Sequence, residues 1–364
     1  MQVDSGMTLE ELGWSPTLDA AFREHADAGL QPARIAVAYG ATFRVVGVDR
    51  DELADVTGRL RHEAQNRRDL PAVGDWVALK ATTIDGGRST IHAILPRKSL
   101  FSRKVAGEET VEQIVATNVD TAFLMTALDR DFNVRRLERY LAMTLESGAR
   151  PVILLNKADL GDEVDARRLE AGRAGLGVPV HVVSARANTG LEALAPYLQP
   201  GQTIAVLGSS GVGKSTLINR LLGEERLATR EVRDSDHRGR HTTTHRELIP
   251  LPGGALLIDT PGMRELQLWT ADAGVSEAFD DITQLAANCY FTDCQHDSEP
   301  RCAVKAAVEV GTLPADRLES FHKLQGEQSH LEKRQDTLAQ QSEKKKLRTT
   351  MRAVRKYYET KDRT

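Results

Sequence analysis

The octapeptide Gly208-Ser-Ser-Gly-Val-Gly-Lys-Ser215 constrains this chain more than any other stretch. It has the spacing of a phosphate-binding loop, and it lies between the apolar run Thr203-Ile-Ala-Val-Leu207 and a helix predicted from Lys214. In that context the glycines let the backbone wrap phosphates and aim N–H groups inward, and the helix N-terminus adds a favourable dipole. Lys214 is placed to contact β- and γ-phosphates, and the Ser215 hydroxyl to ligate Mg²⁺. Gly208, Ser209, Ser210, Gly211, Val212, Gly213 and Thr216 complete the cradle. Further continuous apolar runs, Thr121–Thr126, Pro151–Leu155, Pro179–Val183 and Ala255–Ile258, predict strands of a parallel sheet covered by helices on both faces. One of those helices is expected to be capped by Asn133, with Leu137, Tyr140, Leu141, Thr144 and Leu145 as its apolar face.

The phosphate loop specifies a nucleoside triphosphate without specifying the base. Asp259-Thr-Pro-Gly262 follows the Ala255–Ile258 run. Its Asp259 can hold Mg²⁺ through water, and the Gly262 backbone N–H can reach a γ-phosphate. Alone this is an ordinary turn; about 45 residues after a phosphate loop it gains meaning. Asn156-Lys-Ala-Asp159 ends another apolar run and resembles the guanine-specificity motif of GTPases. A carboxylate such as Asp159 accepts from both N1–H and the exocyclic amine of guanine, donors that adenine lacks there. Asn156 is expected to support the loop and contact the base, the Lys157 stem to cover its face, and Ala158 to lie between them. Read alone, the tetrapeptide is equally a capped turn. Ser184-Ala185-Arg186, at another strand end, resembles the second base-contacting loop.

The order of these motifs is unusual, because the base motif precedes the phosphate loop by about 50 residues. A sheet fixes strands in space and not in chain order, so joining old ends and opening a new loop preserves the site. This permutation places the Asp259–Gly262 region last in the core. Loss of the γ-phosphate is then expected to reach the C-terminal segment through the chain that follows.

Other stretches flank this core. Short alternating runs at Arg34–Tyr39, Thr42–Val48, Gly74–Leu79 and Ser89–Ile94 predict a small β-barrel, of the oligonucleotide-binding (OB) type or another small β-domain. All three cysteines fall in Cys289-x4-Cys294-x-His296-x5-Cys302. Three thiolates and one imidazole form a closed tetrahedral set suited to one structural Zn²⁺. An odd count of three cysteines, all within residues 289–302, argues against a secreted disulfide framework.

The permuted order, the N-terminal β-segment and the cysteine cluster together resemble one family, the ribosome small-subunit-dependent GTPase A (RsgA) family, over roughly residues 30–330. The resemblance implies a multidomain fold: a leader at 1–33, an OB-like β-barrel at 34–105, a circularly permuted α/β P-loop GTPase domain at 106–271, a mostly helical zinc-binding domain at 272–330 and a basic helical tail at 331–364. It implies a role in late maturation of the 30S subunit, with hydrolysis stimulated by that subunit.

Residues 223–244 are polar without a clear period, as suits a switch. Thr243 and Thr244 both offer hydroxyls for Mg²⁺ and the γ-phosphate, and the sequence does not choose between them. Many GTPases orient the attacking water with a glutamine after the switch glycine; here Met263 stands there. His241 resembles the histidine proposed to act catalytically in the family, although a lone histidine in a polar loop is usually only solvated.

A formal net charge of −4 carries no whole-chain case for nucleic acid, so charge is read locally. Lys344–Lys346, Arg348, Arg352, Arg355, Lys356, Lys361 and Arg363 make a basic tail; Arg59, Arg61, Arg67 and Arg68, and Lys98, Arg103 and Lys104, make two further patches. They fit attraction to an RNA backbone or, more blandly, solvated faces. No apolar run approaches the roughly 18 residues of a membrane span, and Met1–Glu11 lacks the order of a secretory signal. A cytoplasmic, monomeric protein binding GTP and GDP, 30S subunits and their rRNA is expected. A GTPase acting on another RNA, such as tRNA, and an RNA-binding scaffold using nucleotide only for stability are the competing readings.

Overall fold

The structure, a computed structural model, describes residues 6–82, 87–105, 111–161, 163–226, 246–259 and 272–329. Five strands, β1 (Gln31–Tyr39), β2 (Thr42–Gly47), β3 (Arg50–Val56), β4 (Trp76–Lys80) and β5 (Ser89–Ile94), run in the spatial order β1-β2-β3-β5-β4, and β4 returns to pair with β1. The closed order, with β3 and β5 parallel and the other pairs antiparallel, is the Greek-key barrel of OB type. Ile35, Phe43, Val45, Ala54, Leu79 and Ile91 are buried in its core. β3 escapes sequence patterning because four of its seven residues are charged. Its pairing to β2 is reinforced instead by Arg44, which donates to both carboxylate oxygens of Asp51.

Part of the segment read as a leader is folded. Ser15 caps α1 (Pro16–Asp27), with proline at the helix start, and the helix buries Leu18 and Phe22. Trp14 stands edge-on to Trp76 of the barrel at 4.8 Å and to Phe22 at 5.8 Å.

A hairpin of β6 (Leu100–Val105) and β7 (Val111–Thr117) leads to the second layer system. There β8 (Thr121–Ala127), β9 (Arg150–Asn156), β10 (Val180–Val182), β11 (Thr203–Gly208), β12 (Glu247–Pro250) and β13 (Leu256–Asp259) stand in the order β10-β9-β8-β11-β13-β12. All are parallel except β12, an edge strand antiparallel to β13. β12 also meets β1 at Val37 and Glu247, so the barrel and the α/β sheet join in one sheet of eleven strands among the described residues. α3 (Val134–Ser147), capped by the Asn133 side chain as expected, α4 (Val164–Gly175) and α5 (Lys214–Leu222) cover the sheet. The expected apolar face of α3 is the buried one, with Leu137, Tyr140, Leu141 and Thr144 inside.

The C-terminal part is helical: α6 (Asp272–Ala278), α7 (Asp280–Ala286), α8 (Ala303–Glu309) and a helix at 315–329. It is fastened to α3 by a buried ion pair, Arg317 to Glu138 at 2.8 Å, and Arg317 also pairs with Asp281 at 2.6 Å.

Arg34 on β1 ties the parts together. Its guanidinium is 1% exposed and donates to the carbonyls of Leu12, Gly74 and Asn118 and to Thr203 Oγ1, at 2.5, 3.2, 3.3 and 2.9 Å. The leader, the barrel, the β7–β8 connection and the start of β11 therefore share one side chain. Burial lowers its pKa to about 10, against the attraction of Asp120 and Asp75. Arg34→Ala leaves four buried acceptors without this donor, and a loss of about 3 kcal/mol or more in denaturant unfolding is expected, with Arg34→Lys restoring less than half of it. Unchanged midpoints in both variants would contradict that role.

Candidate functional site

The carboxyl ends of β8, β9, β11 and β13 point to one crevice, the place where open α/β sheets bind ligands. β11 delivers Gly208, whose Cβ, if present, would lie 2.6 Å from the Met125 carbonyl of β8. The loop then turns through Gly211 and Gly213, both at positive φ, into α5 at Lys214. Lys214 Nζ donates to the carbonyls of Gly208 and Ser209 at 2.6 and 2.5 Å, so the ammonium lies within the loop. The first turn of α5, with Ser215 and Thr216, points the positive end of its helix dipole at the loop, where an anion is favoured.

β9 delivers Asn156, which is 3% exposed and bonded on both sides. Its Nδ2 donates to the Val212 carbonyl of the phosphate loop at 2.8 Å, and its Oδ1 accepts from the Ala185 amide at 2.9 Å. One amide thereby joins three loops separated in the chain. Gly213 is required by the same contact: at φ 105 its Cβ would collide with Asn156 Nδ2. Lys157 follows in the left-handed conformation and its ammonium pairs with Asp129 at 2.7 Å. Burial pushes the Asp129 carboxyl up, but the Lys157 hydrogen bond, the Asp131 amide and the charges of Lys157 and Arg167 bring it below the ordinary carboxylate range. Asp159 accepts from Ser184 Oγ at 2.5 Å, and Ser184 Oγ accepts from the Ala187 amide at 3.0 Å. Arg220 of α5 donates to the carbonyls of Ala185 and Arg186, both at 3.1 Å, tying the second base loop to the phosphate-loop helix.

Asp259 ends β13 opposite Glu247 of β12. Burial, and then the Glu247 carboxylate, raise its pKa, while Arg226 and Lys214 oppose the rise. β13 runs parallel beside β11, whose carboxyl end opens into the phosphate loop, so Asp259 stands at the phosphate end of the crevice. Gly262, Met263, His241, Thr243 and Thr244 lie outside the described residues, as does the basic tail. Asp129, Asp131, Arg220 and Glu247 are site residues that sequence reading missed. A signal existed for two of them, a pair of carboxylates one residue apart directly after a buried strand.

The second site lies between α7 and α8. The ligand atoms of Cys289, Cys294, His296 and Cys302 all lie within 4.8 Å of one another. Cys289 Sγ and Cys302 Sγ are 3.8 Å apart, and His296 Nδ1 is 3.6 and 3.4 Å from them. A tetrahedral ion with ligand bonds of about 2.0–2.3 Å requires edges of about 3.5–3.8 Å, close to the spacing of these three donors, and Cys294 within 4.8 Å supplies a fourth. His296 adopts positive φ to face the thiols, and Glu299 accepts from the amides of Gln295, Asp297 and Ser298 to hold the loop.

Comparison with known proteins gives the same picture. A family model, RsgA GTPase, matches residues 94–269. The Small ribosomal subunit biogenesis GTPase RsgA of Opitutus terrae is 48% identical over 346 residues, 93% of this chain and 94% of that protein. Its namesake from Syntrophotalea carbinolica is 42% identical, covering 96% of this chain and 98% of that protein. Among solved structures, YjeQ from Thermotoga maritima is 26% identical with a TM-score of 0.60, covering 82% of this chain and 98% of that one. YloQ, described as a circularly permuted GTPase, is 26% identical with a TM-score of 0.56, covering 84% and 96%.

The geometry makes Gly213→Ala a direct test of the three-loop junction. The added methyl must displace Asn156, and guanine-nucleotide affinity is expected to fall by at least about tenfold while the far-ultraviolet circular dichroism stays native. Unaltered affinity would mean that the Asn156 junction does not organise the crevice.

Proposed function

The chain belongs to the RsgA GTPase family, and from that premise we propose that this GTP hydrolase acts in late maturation of the 30S ribosomal subunit. In this reading it docks on the subunit with GTP bound, and hydrolysis stimulated by the subunit releases it. The observation that carries the proposal is the pair of hydrogen bonds from Asn156, which holds a base-reading loop and a phosphate-gripping loop at one crevice.

The Asp159 carboxylate accepts from N1–H and the 2-amino group of guanine, while Ser184 and the backbone of Ala185 and Arg186 shape the loop against which the base lies. Asn156 and Ala158 hold the near side of the base, and the Lys157 stem covers its face. Residues 208–216 wrap the phosphates with backbone N–H groups, and Lys214 offsets the charge of the β- and γ-phosphates. Ser215 and, through water, Asp259 would hold Mg²⁺, whose charge favours the departing phosphates. On the sequence alone, the Gly262 N–H would meet the γ-phosphate, His241 would act catalytically where Met263 stands in place of the usual glutamine, and Thr243 or Thr244 would offer its hydroxyl to Mg²⁺ and the γ-phosphate. Cys289, Cys294, His296 and Cys302 would hold one structural Zn²⁺.

Contacts to rRNA fall to the barrel, its flanks and the basic tail. Arg59, Arg68 and Lys98 pair with Glu63, Glu112 and Asp120; the Arg59 pair is exposed on both sides and exchanges readily for phosphate, whereas Glu112 and Asp120 are largely covered. No helix among the described residues is long and apolar enough to cross a membrane. A monomeric cytoplasmic factor fits that reading.

GTP turnover measured with and without purified 30S subunits tests the proposal. Stimulation of at least about tenfold by 30S, and none by tRNA, is expected. Stimulation by tRNA alone, or by neither, would displace the 30S reading. Elemental analysis is expected to find one zinc per chain, and Cys302→Ser to lose it while GTP binding survives; a metal-free wild type would refute the zinc assignment.

A further inference from the structure

β8 lies between β9, which ends in the base loop, and β11, which ends in the phosphate loop. The connection from β8 to α3, residues 128–133, therefore emerges between the two loops that grip the nucleotide. It carries two carboxylates one residue apart, and they face opposite ways. Asp129 accepts from Lys157 Nζ at 2.7 Å, and Asp131 accepts from Ser209 Oγ at 2.6 Å.

The turn itself is rigidly tied. The Asp131 amide donates to Asp129 Oδ1 at 2.8 Å, the Phe132 amide to the Asp129 carbonyl at 3.1 Å, and Arg167 to the same carbonyl at 3.0 Å. Leu128 N–H donates to the Asn156 carbonyl at 2.7 Å, fixing the start of the turn to the base loop. Arg136, in the first turn of α3, donates to both oxygens of Asp131 at 2.9 Å, while Ser209 Oγ reaches the carboxylate from the phosphate loop. The Ser209 carbonyl in turn accepts from Lys214 Nζ at 2.5 Å.

We propose that the 129–131 turn is a positioning element of the nucleotide site, in which Asp131 sets the phosphate loop through Ser209 and Asp129 sets the base loop through Lys157. Each carboxylate is assigned its effect through the residue it bonds, Lys157 or Ser209. Asp131 acts on the loop whose lysine meets the β- and γ-phosphates, so its influence falls on nucleotides with at least two phosphates. Asp129 acts on the side chain that covers the base, so its influence is the same for every guanine nucleotide. The inference rests on the guanine-nucleotide reading of the crevice.

The two halves separate by ligand. Displacement of a fluorescent GDP analogue from the full-length protein by GDP and by GMP gives the affinities. Asp131→Ala is expected to weaken GDP by about 5–10-fold and GMP by less than about twofold, whereas Asp129→Ala weakens both by the same factor of about 5–10. Asp131→Ala also breaks the pair with Arg136, so Arg136→Ala serves as the control for helix loosening and is expected to change GDP affinity by less than about twofold. Asp131→Ala combined with Ser209→Ala is expected to be no worse than either alone, since both remove one interaction. Equal loss of GDP and GMP in Asp131→Ala, an Arg136→Ala variant that reproduces it, or full additivity with Ser209→Ala overturns the inference. Wild-type protein that binds neither nucleotide overturns both this inference and the reading beneath it.

Discussion

Asn156 is the point on which the nucleotide crevice depends. Its amide has one donor side and one acceptor side, and each is spent on a different loop: Val212 of the phosphate loop and Ala185 of the second base loop. Being buried, the group gains little from water, so either bond left unmade carries the full desolvation cost. An aspartate in its place could accept from Ala185 but could not donate to Val212, and a leucine could do neither. The constraint spreads outward from there. Gly213 must lack a side chain because Asn156 occupies its space, and Gly208 must lack one because the Met125 carbonyl stands where a Cβ would be. Two of the glycines in the phosphate loop are thus explained by neighbours in the fold as well as by phosphate.

The same logic explains why a permuted order of motifs leaves the crevice intact. Contacts among β8, β9, β11 and β13 are lateral, and none requires that one strand precede another. What the permutation changes is the attachment of neighbours. The chain enters this sheet at β8, directly from the barrel and its hairpin, and leaves it after β13 toward the helical C-terminal part. Edge strand β12 is not left open, because β1 of the barrel meets it at Glu247. Glu247 also pairs with Arg226 at 2.8 Å, approaches Arg44 of β2 at 3.8 Å and lies across from Asp259. The seam between barrel and α/β sheet therefore lies within one residue pair of the carboxylate assigned to the metal-bearing end of the crevice.

Legibility in the sequence followed the range of the interaction involved. The α/β strands were readable because each is a continuous apolar run, and the loops because their chemistry is local in the chain: eight residues for the phosphate loop, four for the base motif. Four barrel strands showed through alternation. β3 did not, since four of its seven residues are charged, and β12 did not, being four residues ending in a proline. α1 presents only Leu18 and Phe22 to the core, too few to mark a periodic face. Asp129 and Asp131 were missed for a different reason: their place after a buried strand was visible, but their partners lie 28 and 78 residues away, and a carboxylate in a polar turn looks the same whether or not it has one. Arg34 is the extreme case, a charged residue in a strand whose four acceptors come from four parts of the chain.

The cysteine cluster answers a problem of size. α7 and α8 are seven residues each, far below the length at which an isolated helix holds together in water. Between them the chain runs through an irregular loop in which His296 and Arg301 both take positive φ, at a cost of about 1 kcal/mol or more each. Apolar burial is available only on one side, where Phe279, Ile282, Val304 and Phe321 face the core, and the loop itself exposes Tyr290 and Phe291. Cys302 offsets part of the deficit by capping α8, accepting from the Lys305 amide at 3.4 Å. Since Cys289 follows α7 and Cys302 starts α8, an ion bound by the four side chains would close the loop at both ends at once. That closure supplies what packing does not, and it lets the Arg317–Glu138 pair fasten a preformed unit, rather than a floppy segment, against α3.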